Sequence, residues 1–98
     1  MISDDDLAAI EQRLTRALDV APQPWTTWLE TQGATGGCSF VALDGDSPDD
    51  LELYVDVFAG NEQWISPDAR LDALVDFVGN SAEDVRRLLD EVRRLRGM

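Results

Sequence analysis

Residues 66–98 read SPDARLDALVDFVGNSAEDVRRLLDEVRRLRGM, and the reading of this stretch decides the fold. Ser66 is a good N-cap, Pro67 suits a first helical position where a missing N–H costs nothing, and Asp68 sits in the first turn against the helix dipole. Leu71, Leu74, Val75 and Val78 then recur at the i, i+3, i+4, i+7 spacing of a helix with one apolar face. Gly79 and Asn80 both tolerate the left-handed conformation that closes a helix, and Ser81 with Asp84 three residues on reads as an acidic variant of the capping box. Val85, Leu88, Leu89, Val92 and Leu95 continue the period to Gly97. The stretch therefore predicts two consecutive helices forming a hairpin linked at Gly79-Asn80.

Upstream, Ser3 caps a first helix whose opening turn holds Asp4, Asp5 and Asp6, where negative charge is favoured. Its buried stripe is Leu7, Ile10, Leu14, Ala17 and Leu18, and Pro22 and Pro24 end it near Val20. Trp25 to Thr31 alternates with a period of two and predicts a first strand, with Trp25, Thr27 and Leu29 facing away from Thr26, Trp28 and Glu30. The two tryptophans cannot then share a face, and Trp28 is expected to be the more exposed. Cys38 to Leu43 predicts a second strand after a glycine-rich turn. Leu51, Leu53, Val55 and Val57 alternate with Glu52, Tyr54, Asp56 and Phe58, the pattern of an antiparallel strand with one side buried. Gly60-Asn61 makes a turn, and Glu62 to Ile65 a short edge strand. One helix, three or four strands and then two helices predict a single α+β domain over residues 1–98, with an antiparallel sheet covered on one face by the helical hairpin.

The 98 residues carry 20 acidic and 8 basic side chains, a formal net charge of −12. Such a field repels nucleic acid and anionic membranes and complements a basic protein surface. Every basic residue is arginine and Asp outnumbers Glu, a usage that suggests a GC-rich genome. Five arginines, Arg86, Arg87, Arg93, Arg94 and Arg96, lie on the final helical segment, so the acidic excess belongs to the front of the chain. No apolar run reaches the length of a membrane span, no signal peptide is visible at Met1-Ile2-Ser3, and the single Cys38 is compatible with a reducing compartment; a cytoplasmic protein is expected.

The loop holding Asp44, Asp46, Asp49 and Asp50, followed by Glu52, has the acidity of a calcium loop but not its spacing: counted from Asp44, Pro48 and Val55 stand where ligands belong. No metal and no cofactor are expected. Without histidine, lysine or a phosphate-binding loop there is no recognisable catalytic set, and Cys38 has no histidine to activate it. The residues that suit a partner-facing surface are instead the carboxylates Asp44, Asp46, Asp49, Asp50, Glu52 and Asp56, with Trp28 and Tyr54 as aromatic anchors. A homodimer through the C-terminal helix is a further expectation, since Arg86, Arg93 and Arg94 beside its apolar stripe can meet the acidic front of a second copy.

The segment Ala21-Pro22-Gln23-Pro24-Trp25 after the first helix and the closing run Asp84-Val85-Arg86-Arg87-Leu88-Leu89-Asp90-Glu91-Val92-Arg93-Arg94-Leu95-Arg96 resemble a group of small actinobacterial and phage-borne proteins. That group has a Pro-Gly-Pro-Trp turn and an Asp-Val-x-x-Leu-Leu-x-Glu-Val-x-x-Leu-Arg end; Gln23 replaces the usual glycine, and the middle of the chain is not covered. The resemblance implies no enzyme and no cofactor, and an accessory-gene role. Three functions are consistent with these readings: a stoichiometric inhibitor of a basic protein, of the immunity-protein or antitoxin type; a phage accessory protein that mimics nucleic acid against host defence; and a housekeeping interaction module.

Overall fold

The computed structural model describes residues 2–33, 37–43 and 51–97. Two helices and two small antiparallel sheets follow in the order α1 (Asp4–Val20), β1 (Thr26–Trp28), a 3-10 turn (Glu30–Gln32), β2 (Phe40–Ala42), β3 (Glu52–Leu53), β4 (Phe58–Ala59), β5 (Glu62–Gln63) and α2 (Ala69–Leu95). The fold class is α+β, as the segregation of the patterns predicts.

Helix α1 begins as its sequence dictates. Ser3 is the N-cap, its hydroxyl accepting from Asp6 N at 3.1 Å while the Asp6 carboxylate accepts from Ser3 N at 3.2 Å, so two otherwise orphaned donors are satisfied reciprocally. Leu7 and Leu14 of its apolar stripe are buried, with Ile10 and Leu18 half-buried beside them.

The C-terminal stretch departs from its prediction. It is not a hairpin but one unbroken helix of 27 residues, and Gly79, Asn80 and Ser81 lie inside it. Gly79 is needed for closeness, not for a left-handed turn. A Cβ built at that position would lie 2.0 Å from Thr27 Cγ2 on β1 and 3.4 Å from Val41 Cγ2 on β2. The sheet therefore rests directly on the helix backbone there. Asn80 turns its amide back onto the Asp76 carbonyl at 2.8 Å, and the Ser81 hydroxyl donates to the Val78 carbonyl at 2.6 Å. Polar side chains that elsewhere cap helices are thus satisfied within the turn that carries them. The helix also starts later than Ser66: Asp68 is the N-cap, its carboxylate accepting from Arg70 N at 2.8 Å and from the Arg70 guanidinium at 3.1 and 2.8 Å.

Helix α2 is the spine of the molecule. Its first half, with Leu71, Val75 and Gly79 buried, carries β1 and β2; its second half, with Ala82 and Leu89 buried, carries α1. The helices run antiparallel, so the N-terminus of α1 meets the C-terminus of α2, where Arg93 pairs with Glu11 and Arg96 with Asp4. Trp25 closes the end of this pair, packed on the helical core with its indole N–H donating to the Ala21 carbonyl at 2.7 Å.

The predicted strand over Leu51–Phe58 is divided. Only Glu52 and Leu53 pair with β2, because β2 is three residues long, while Phe58 and Ala59 turn at Gly60-Asn61 to pair with β5. The first predicted strand likewise shortens to Thr26–Trp28 before the 3-10 turn. Leu51 and Leu53 remain exposed, since α2 reaches over β1 and β2 but not over β3.

Candidate functional site

In the three-stranded sheet, with order β1-β2-β3, the register opposes Thr27 with Val41 and Val41 with Leu53, while Trp28 opposes Phe40. Side chains directly opposite on antiparallel strands point to the same side, and neighbours along a strand point to opposite sides. Thr27 and fully buried Val41 face α2. Trp28 and Phe40 consequently face solvent, and continuing the register by one residue adds Tyr54.

The three rings form a cross-strand row. Trp28 and Phe40 are stacked with centroids 6.5 Å apart and planes 19° apart, and Phe40 and Tyr54 lie at 5.5 Å with planes 31° apart. Trp28 and Tyr54 are each 50% exposed at the two ends, and Phe40 is half-buried between them. Glu52, on the same face as Tyr54, accepts its phenolic hydrogen, and that bond to the carboxylate raises the Tyr54 pKa above its ordinary value. The result is a shallow aromatic strip with a carboxylate at one end on a rigid base.

This arrangement unites part of the predicted surface. Trp28, Tyr54 and Glu52 come together on one face, and Phe40 joins them. Asp56 lies beyond the sheet, on the segment between β3 and β4, where its carboxylate accepts from the Gln63 amide at 3.5 Å. Asp44, Asp46, Asp49 and Asp50 lie outside the described residues, on the link between β2 and β3. Phe40 was legible as a ring of the same parity as Cys38 and Ala42, but pairing it with Trp28 and Tyr54 required the register of all three strands.

A second functional-looking group was missed altogether. Asp72 is 95% buried, with a relative exposure of 5%, and its carboxylate accepts hydrogen bonds from the hydroxyls of Ser39 and Thr31 and from Thr31 N, the last at 3.1 Å. Ser39 in turn accepts from Glu30 N at 2.9 Å. Burial pushes the Asp72 carboxyl up, but the hydrogen bonds from Ser39 and Thr31 to its charged form outweigh that and lower it. Its donors lie on the 3-10 turn (Thr31) and on the residue that leads into β2 (Ser39), so this acid is a clamp that holds the aromatic-bearing sheet on α2. The signal was an acid in phase with Val75 and Gly79 on the inward side of the helix.

A hollow of about 550 Å³ lies among Ala8, Glu11, Gln12, Thr15, Arg16 and Arg93, on the helical pair and away from this strip; Arg93 there is held by Glu11. Among the described residues no group of three or more acidic or thiol side chains is placed to hold a metal ion, and no helix is long and apolar enough to cross a membrane. Comparison with protein-family models, with curated proteins and with solved structures finds no match to this chain.

Proposed function

We propose that this chain is a non-enzymatic acidic binding protein that takes a basic segment of a partner protein on the Trp28–Phe40–Tyr54 face, acting as a stoichiometric inhibitor of the immunity-protein or antitoxin type. The observation that carries the reading is the exposed aromatic row with Glu52 at its end, in a chain of net charge −12. A guanidinium stacked on an aromatic ring gains about 0.5–2 kcal/mol, more as water is excluded, and a neighbouring carboxylate adds a charge-assisted hydrogen bond. The protein uses this chemistry internally: Arg70 lies 3.8 Å over the Trp64 ring while Asp68 binds it through two nitrogens.

The acidic field supplies the encounter and the rings supply the anchor, so charge governs association rate and the aromatics govern residence. The resemblance to actinobacterial and phage-borne proteins supports an accessory-gene setting for such an inhibitor. The test is affinity capture from the native host with four baits: wild type, a Trp28→Ala/Tyr54→Ala variant, Glu52→Arg, and charge reversal of Asp46, Asp49 and Asp56 together. A basic protein held by wild type, lost by the aromatic variant and weakened by both charge variants is the expected result. A partner retained equally by all four excludes this face as the interface.

A further inference from the structure

Trp28, Phe40 and Tyr54 come one from each strand of the β1-β2-β3 sheet, so their row runs across the strands and not along them. Beside it the register sets a second row on the same solvent face. Thr26 opposes Ala42 and Ala42 opposes Glu52, each two residues from a ring on its own strand. Thr26 and Ala42 are small and Glu52 carries a carboxylate, so the face is stepped: rings stand high on one side, and the lower side ends in a negative charge. A chain that crosses the strands along this step meets all three rings, whereas one that follows a strand meets a single ring.

The geometry of the rings decides which cation they hold. Neighbouring planes differ by only 19° and 31°, so the three present nearly one orientation. A compact ammonium is best held by rings that surround it, while a planar guanidinium stacks on rings of common orientation and offers a fork of donors to a carboxylate beside them. Glu52 Oε2 accepts from the Tyr54 hydroxyl, and among the described residues Glu52 Oε1 has no donor. The same combination is already filled elsewhere in the molecule. Arg70 lies 3.8 Å over the Trp64 ring with its Nε and Nη2 on the Asp68 carboxylate at 3.1 and 2.8 Å, although the Arg70 side chain is 61% exposed. A ring with an adjacent carboxylate therefore orders a guanidinium at the surface of this protein.

We infer that the segment taken by this face, on the basic-partner reading proposed above, is an extended chain with arginine at alternate positions, recognised as arginine and not merely as positive charge. One guanidinium stacks on Tyr54 and Phe40 with Glu52 Oε1 as its acceptor, and the next stacks on Trp28. Alternate side chains of an extended chain project to the same side about 6.4–6.8 Å apart, which matches the 6.5 Å between the Trp28 and Phe40 centroids. Adjacent arginines point to opposite sides, so only one of them reaches the rings.

Three pentapeptides of equal charge test the inference: Gly-Arg-Gly-Arg-Gly, its isomer Gly-Arg-Arg-Gly-Gly, and Gly-Lys-Gly-Lys-Gly. Each is titrated into the full chain at one ionic strength, with affinity taken from the backbone amide shifts of Trp28, Phe40 and Tyr54. The first is expected to bind about fivefold more tightly than either of the others, the discrimination that one cation–π contact of ordinary strength supplies. In Trp28→Leu, a change at a half-exposed position, the two arginine isomers are expected to converge. Equal affinity for the arginine and lysine peptides at these residues overturns the arginine reading and leaves the basic-partner proposal standing. Equal affinity for the two arginine isomers in wild type, or a preference that survives in Trp28→Leu, overturns the alternate spacing. Shifts at these residues with none of the three peptides overturn both the inference and the proposal beneath it.

Discussion

Gly79→Ala distinguishes a glycine kept for close approach from one kept for a helix break. In an uninterrupted helix, alanine is favoured over glycine by about 1 kcal/mol. Here the added Cβ would fall 2.0 Å from Thr27 Cγ2, so β1 or its threonine must move; overpacking of this kind costs about 1–3 kcal/mol. The net expectation is a loss of up to about 2 kcal/mol, a fall in melting temperature of several degrees for a domain of this size. Thr27→Ala removes the offending methyl and leaves the Cβ of residue 27 and Val41 Cγ2, each at 3.4 Å, as near-ordinary contacts. In that background Gly79→Ala should change sign and stabilise by about 1 kcal/mol, a coupling of about 1–3 kcal/mol between two residues distant in sequence. Urea unfolding of the four proteins, followed by far-ultraviolet circular dichroism, measures it. If Gly79→Ala is equally costly with and without Thr27, the glycine serves a left-handed turn and the unbroken helix is wrong.

Three further outcomes follow from the packing. Asp72→Ala strips the Thr31 amide and the Ser39 and Thr31 hydroxyls of their acceptor and should cost about 1–3 kcal/mol in the same urea assay, with Asp72→Asn recovering only part. The carboxyl of Asp72 is lowered by those hydrogen bonds, and that of Asp68 is held at about 2 by Arg70. Both lie below the unfolded reference near ~3.9, so the stability they add is complete above that pH and is lost on acidification through the folded values. Urea midpoints measured from neutral pH downward should therefore fall on the acid side, and Asp72→Asn should flatten that limb. Leu89→Ala, in the buried cluster with Leu7, Leu14 and Ala82, should cost about 2–5 kcal/mol, while its neighbour Leu88→Ala, exposed within one chain, should change monomer melting by less than about 0.5 kcal/mol.

Local signals were legible where local chemistry decides the outcome. Ser3 and the aspartates after it fix the start of α1, and the alternation around Val41 sets Ser39 and Val41 on the face opposite Phe40, although Ser39 by itself reads as an outward-pointing strand residue and is buried. The misreadings arose where a distant element overrides a local preference. Gly79-Asn80-Ser81 has the composition of a helix stop, yet the arrival of Thr27 makes glycine a packing residue within a continuing helix. The alternation of Leu51 to Phe58 promised a long half-buried strand, but a strand extends only as far as its neighbour, and β2 offers three residues. For the site, the exposure of Trp28 and Tyr54 followed from parity, whereas their meeting across Phe40 depends on a register set by long-range pairing, and a sequence alone does not specify it.

The aromatic face is tested most directly by following the backbone amide resonances during titration with the pentapeptide Gly-Arg-Gly-Arg-Gly, at low and at high salt. A guanidinium captured between the rings and Glu52 predicts shifts concentrated at Thr26–Trp28, Phe40–Ala42 and Glu52–Tyr54, shrinking as salt rises and absent from the Trp28→Ala/Tyr54→Ala variant. Shifts spread evenly over the acidic residues of α1 and α2, or unchanged in that variant, would contradict the assignment of the sheet face as the partner-binding surface.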